Sequence, residues 1–85
     1  LSFQTKEFFM NEKILDILKG IRPEFEFEGV EDFFEEGMLD SFDLVTLCSE
    51  LDKAFNIHID GMDIVPENFM NVSAIENLLK KNGVK

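Results

Sequence analysis

The chain has no tryptophan, no tyrosine, one cysteine and one histidine among its 85 residues, and only 8 basic residues stand against 18 acidic ones. Each shortage removes a class of explanation. A single cysteine, Cys48, excludes an internal disulfide. A lone histidine, His58, with no second His and no Cys pair, gives neither a metal-ligating cluster nor a nucleophile with its base. His58 reads as a surface or boundary residue, and Cys48 as a buried structural thiol. No glycine-rich phosphate loop is present. No apolar run approaches the roughly 18–20 residues that a bilayer crossing needs, and the opening residues have neither the apolar core nor the cleavage site of a signal peptide. The surplus of acid, a formal net charge of −10, repels phosphate backbones. Nucleic acid is therefore excluded as a partner, and basic protein surfaces are favoured. These features point to a cytoplasmic domain with no metal and no catalysis of its own, and a monomer is expected.

What the chain does have is enough apolar mass for one small core. Hydrophobic residues make up 45 % of it, with ten phenylalanines, and a chain this short supplies a single domain. Residues 1–9 begin without Met and are read as a non-native or disordered leader. The domain then covers 10–85, with Met10 as its native start.

Helical spacing is the main pattern. Ile14, Leu15, Leu18 and Ile21 recur at three and four residues, which predicts a first helix capped by Asn11, running through Lys19 and closed by Gly20. Pro23 blocks its continuation. The segment to Asp40 reads as a long loop, pinned to the core by Phe25, Phe27, Phe33 and Phe34, with a short helical turn near Glu31 to Glu35. From Ser41 to Phe55, Val45, Leu47, Cys48, Leu51, Ala54 and Phe55 mark one face of a second helix. Asp40 suits its N-cap, and Asp43 adds a carboxylate where the helix dipole favours one. Ile57-His58-Ile59 is too short for a strand without a partner. Pro66 opens a short helical turn through Phe69. Asn71 or Ser73 caps a last helix through about Lys81, with Gly83 as its stop. The predicted fold is all-α: a small antiparallel bundle of three main helices plus one short helix, with a long loop between the first two.

The residues that carry chemistry lie at the start of the second helix. Eight acidic and no basic residues fall between Glu26 and Asp43, so a negative field concentrates around Leu39-Asp40-Ser41-Phe42. Ser41 falls on an exposed first helical turn. There, free backbone N–H groups and the positive end of the dipole favour a negatively charged group. As a capping-box serine Ser41 is poor, because Leu44 stands where a box wants Glu or Gln.

The string Gly37-Met38-Leu39-Asp40-Ser41-Phe42-Asp43-Leu44-Val45 resembles the attachment signature of the acyl carrier protein family, and the order of elements over about 72 residues, 10–81, is similar to that family's. The resemblance implies an acyl-carrier-like fold and a 4′-phosphopantetheine arm, delivered from coenzyme A by a phosphopantetheinyl transferase and attached to Ser41. It implies a non-catalytic carrier that holds acyl or aminoacyl cargo as a thioester. Its further partners are then loading ligases and acyl-transfer or synthase enzymes with basic docking patches, in fatty-acid, polyketide or related biosynthesis. Asp40, Asp43, Glu50 and Asp52 are the docking residues it implies. Phe42 is expected to anchor the turn against the bundle and, with Met38 and Met62, to contact the arm or line a cargo cavity. Thr46 and Lys53 stand where fatty-acid carriers are usually acidic. That makes the docking face less negative than the total charge suggests, and Phe42, the string from Phe34 to Phe42 and the spacing from Phe55 to Ile75 are similar to those of D-alanyl carrier proteins of teichoic acid modification.

Two readings of other kinds stand beside this one. An unmodified acidic helical adaptor would use the same surface. Asn56-x-His58-x-Asp60-Gly61, five residues, then Glu67 has the spacing of a calcium-binding EF-hand loop. However, His58 sits where an oxygen ligand is wanted, and Pro66 precedes the last ligand.

Overall fold

The computed structural model describes residues 5–84. Helix α1 spans Thr5–Ile21, α2 Ser41–Phe55 and α3 Val72–Lys81, with two 3₁₀ turns, Gly61–Asp63 and Pro66–Asn68, between α2 and α3. Among the described residues there is no strand, and no helix is long and apolar enough to cross a membrane. The all-helical architecture agrees with the sequence reading. The expected fourth helix is reduced to a 3₁₀ turn that Pro66 opens and that closes with the Phe69 N–H donating to the Pro66 carbonyl, 3.0 Å.

Helix α1 differs from expectation at both ends. It starts at Thr5, six residues before Asn11, because Met10, 3 % exposed, extends the buried Ile14 and Leu18 stripe one turn back. Asn11 is thus inside the helix, and its side chain donates to Glu76 of α3 at 3.5 Å. Of the expected leader, residues 1–4 lie outside the described residues, and the helix already includes residue 5 onward. Gly20 is helical rather than a left-handed stop, and the helix runs to Ile21 before Pro23 ends it.

The core sits where the three helices meet. Ile14 and Leu18 of α1, Leu47 and Leu51 of α2, Ile75 and Leu79 of α3, and Phe33 and Phe69 from the connections are fully buried. Each such side chain contributes on the order of 1.5–3 kcal/mol by leaving water. Helix α2 presents Leu44, Leu47, Cys48 and Leu51 inward. Val45 and Ala54, expected on that face, are exposed, because at 3.6 residues per turn they fall on its flanks.

The loop of residues 22–40 is held to the core by aromatics, as expected. Phe27 packs edge-on against Phe33 with ring centroids 5.1 Å apart, and Phe25 edge-on against Phe27 at 6.3 Å. The Phe33 N–H donates to the Met70 carbonyl at 2.7 Å, and the Phe33 carbonyl accepts from the N–H of Met38, 2.8 Å, and of Leu39, 3.3 Å. The helical turn expected near Glu31 to Glu35 is a hydrogen-bonded turn shifted to residues 33–37. The Asp32 carboxylate sets it, accepting from the Phe34 and Glu35 N–H groups. Gly37 leaves that turn at φ +74°, where a side chain would be strained. The loop thereby returns to a fixed point just before α2.

Candidate functional site

Ser41 is the first residue of α2 and is exposed. Asp40, the N-cap, accepts from the Asp43 N–H at 2.9 Å, and the Asp43 carboxylate accepts from the Asp40 N–H at 3.1 Å. This reciprocal box is built on residues 40 and 43, one position before the frame in which Ser41 itself would be the cap. Ser41 and Phe42 lie between the two fastened residues, so the backbone that presents the serine is fixed while its side chain faces solvent.

Phe42 does not anchor the turn. It is 82 % exposed, because position 42 is nearly opposite the Leu44, Leu47, Cys48 and Leu51 face. Met38 and Met62 do not share a cavity either. Met38 is packed in the core, whereas Met62, in the Gly61–Asp63 turn, is 88 % exposed. An open groove of about 670 Å³ runs instead between α1 and α2, lined by Asp16, Ile17, Gly20, Ile21, Asp43, Thr46 and Glu50.

The four expected docking acids divide into two kinds. The Asp40 and Glu50 side chains are about half exposed, with Glu50 3.9 Å from Lys53. The Asp43 side chain is only 13 % exposed and turned inward. Asp52 accepts from the Ile59 N–H at 3.0 Å, and its carbonyl accepts from the N–H groups of Asn56 and Ile57, so it ties down the chain after α2.

One residue the sequence reading passed over belongs to the site. Arg22, just past the end of α1, places its Nε 2.9 Å and its Nη2 2.8 Å from Asp43 Oδ2, with Nη2 also 3.4 Å from Asp40 Oδ2 and Nη1 3.6 Å from Glu24. Its signal in the sequence was its isolation. No other basic residue occurs between Lys19 and Lys53, and a lone cation in so acidic a stretch must have anionic neighbours.

The Asp40 carboxyl is held below its ordinary range, chiefly by the Asp43 backbone N–H, with help from the Phe42 N–H and the Arg22 charge. A carboxylate whose folded pKa is lowered stabilises the fold above its unfolded pKa, about 3.9. That stabilisation is lost as pH falls through the lowered folded value. Thermal melts between about pH 5 and pH 2 should therefore show the midpoint falling in wild type and a shallower fall in Asp40→Asn, which keeps an N-cap without the titrating charge. Identical slopes in the two proteins would refute the assignment.

The other sites named from sequence behave as structural groups. Cys48 is buried, which pushes its thiol pKa up, with the Asp52 charge adding to the effect; a raised pKa disfavours the nucleophilic thiolate. His58 is at the surface, its Nδ1 4.0 Å from Asp52. The EF-hand-like spacing does not fold as a calcium loop. Asn56 takes a left-handed conformation, φ +55°, as the C-cap of α2, while Asp60 caps the Gly61–Asp63 turn and Glu67 lies in the next one. Among the described residues, no three His, Cys, Asp or Glu side chains converge as a metal would require.

A family model described as a phosphopantetheine attachment site matches residues 12–79. No curated protein and no solved structure matches the chain significantly.

Proposed function

This chain belongs to the phosphopantetheine attachment-site family, whose members carry a covalently attached 4′-phosphopantetheine group, and from that premise we propose that Ser41 is the attachment residue and that the protein is a non-catalytic shuttle. The observation that carries the reading is the exposed Ser41 at the start of α2, between the two halves of the Asp40 and Asp43 box. The site fits the group: Ser41 is exposed, and the positive end of the α2 dipole, with the Arg22 guanidinium close by on Asp40 and Asp43, suits a negative phosphodiester.

The chemistry is done to this residue by another protein. The Ser41 hydroxyl oxygen attacks the phosphorus that bears the pantetheine of coenzyme A. The bond from that phosphorus to the bridging oxygen breaks, adenosine 3′,5′-bisphosphate leaves, and the hydroxyl proton passes to a base of the transferase. His58, the chain's one histidine, sits instead beside Asp52.

Ser41 would hold the arm, whose thiol would supply the thioester linkage to cargo brought by loading ligases and taken by acyl-transfer or synthase enzymes. Because the Asp43 and Asp52 side chains are the less exposed, docking falls to the half-exposed Asp40 and Glu50 together with the exposed apolar side chains Phe42 and Val45. Such a surface suits brief encounters steered by charge. We read the cargo pathway as fatty-acid, polyketide or related biosynthesis, in the cytoplasm and with a monomeric carrier. The outward Phe42 and the string from Phe34 to Phe42 favour D-alanyl transfer as the second reading. Loading assays with fatty-acyl and with D-alanine adenylating enzymes separate the two by which thioester forms.

Incubation of the wild type with coenzyme A and a broad-specificity transferase tests the carrier reading. The expected result is a mass gain of one arm and one fast-reacting thiol, set against the slow buried Cys48. No mass gain and no new thiol would refute it.

A further inference from the structure

The approach to Ser41 is crowded with negative charge. Asp40 precedes it, Asp43 lies one turn into the same helix, and the incoming coenzyme A brings phosphates of the same sign. Like charges at such separations oppose the encounter unless a cation offsets them. Arg22 is the cation in contact with both carboxylates, and it reaches them from the far end of the 22–40 loop.

Its geometry does more than neutralise. Two guanidinium nitrogens converge on Asp43 Oδ2 at 2.9 and 2.8 Å, while the same carboxylate oxygen accepts from the Asp40 N–H at 3.1 Å. The guanidinium therefore holds the lock of the capping box. Arg22 is itself held, because its backbone N–H donates to the Leu18 carbonyl at 2.9 Å, continuing the hydrogen-bond ladder of α1 by one residue. A chain of short contacts thus runs from the end of α1 through Arg22 and Asp43 to the backbone on either side of Ser41. A planar, permanently charged fork suits this task, whereas a lysine supplies charge without the fork.

We propose that Arg22 is a positioning residue for the modification of Ser41. It fastens the Asp40 and Asp43 box that presents the serine, and it offsets the two carboxylates that would otherwise repel the coenzyme A phosphates. The inference rests on Ser41 being the attachment residue. The bond changes are those given above: the Ser41 oxygen to phosphorus bond forms, the bond to adenosine 3′,5′-bisphosphate breaks, and the proton goes to the transferase's base. Arg22 takes no part in them.

The test is the steady-state rate of arm transfer by a phosphopantetheinyl transferase, with the carrier varied, for wild type, Arg22→Gln and Arg22→Lys. Arg22→Gln should lower kcat/KM about tenfold, the effect of losing one charge-assisted contact of roughly 1.4 kcal/mol, with most of the change in KM. Arg22→Lys should recover part of the loss. In an Asp43→Asn background Arg22→Gln should have little further effect, because its main partner is already gone. Melting curves establish that each variant is folded. If Arg22→Gln does not melt cooperatively, Arg22→Lys alone decides, since it keeps the charge and a reduced kcat/KM is still expected. Wild-type kcat/KM in folded Arg22→Gln or, failing that, in Arg22→Lys would overturn the proposal, as would fully additive losses in the double variant. Failure of the carrier reading is distinguishable, because it appears as no modification of the wild type.

Discussion

Ser41→Ala is expected to fold as the wild type does and to accept no arm. The two effects separate because Ser41 contributes its hydroxyl and little else. The caps of α2 come from Asp40 and Asp43, and the buried face comes from Leu44, Leu47, Cys48 and Leu51. Position 41 is exposed, and alanine is a better helix former than serine by a few tenths of a kcal/mol, about 0.5. The melting temperature should therefore stay level or rise slightly. Acceptance of phosphopantetheine should fall to zero, since no other atom at that position can form the phosphodiester. A folded Ser41→Ala that gains the same mass as the wild type would remove Ser41 from the account.

Phe33→Ala should have the largest effect on stability. The ring is fully buried and packs edge-on against Phe27, and the Phe33 backbone joins the loop to Met70 on one side and to Met38 and Leu39 on the other. Removing a buried phenylalanine costs about 3–5 kcal/mol, and a small domain has about 5–15 kcal/mol in total. With about 4–8 °C lost per kcal/mol at this size, the melting temperature should drop by roughly 15 °C or more. Arm transfer at 25 °C should slow as well, because Met38 and Leu39 lead directly into Asp40. A drop under about 3 °C would show that the loop is not fastened through Phe33.

Much of this was legible in the sequence, for reasons that differ by element. The spacing of Leu47, Cys48 and Leu51 marks α2, although Leu44 completes the buried face where Val45 and Ala54 were expected, and Asp40 has the chemistry of a cap. Pro66 and Asn71 open their elements as their side chains require, with the Asn71 side chain accepting from the Ala74 N–H at 2.7 Å. The buried Phe27 and Phe33 explain how so long a loop stays ordered. What was not legible depends on distance in sequence or on the angle around a helix. Arg22 meets Asp43 across 21 positions, and nothing local announces that pairing. Phe42 looks like core by its type, but its place around the helix turns it to solvent. Asn11 looks like a cap by its type, yet Met10 carries the helix past it. Asp43 and Asp52 look like docking acids by their place on α2, although they spend their charges on the chain's own N–H groups and, for Asp43, on Arg22.

Peptide mapping decides whether a single hydroxyl receives the arm because of where α2 begins. Ser49 and Ser73 are exposed too, and Ser73 also lies on the first turn of a helix, so exposure and helical position alone do not single out Ser41. After reaction with coenzyme A and a transferase, tandem mass spectrometry of the digested protein should place the arm on Ser41 and leave Ser49 and Ser73 unmodified. An arm found on either of those residues, with Ser41 bare, would contradict the account.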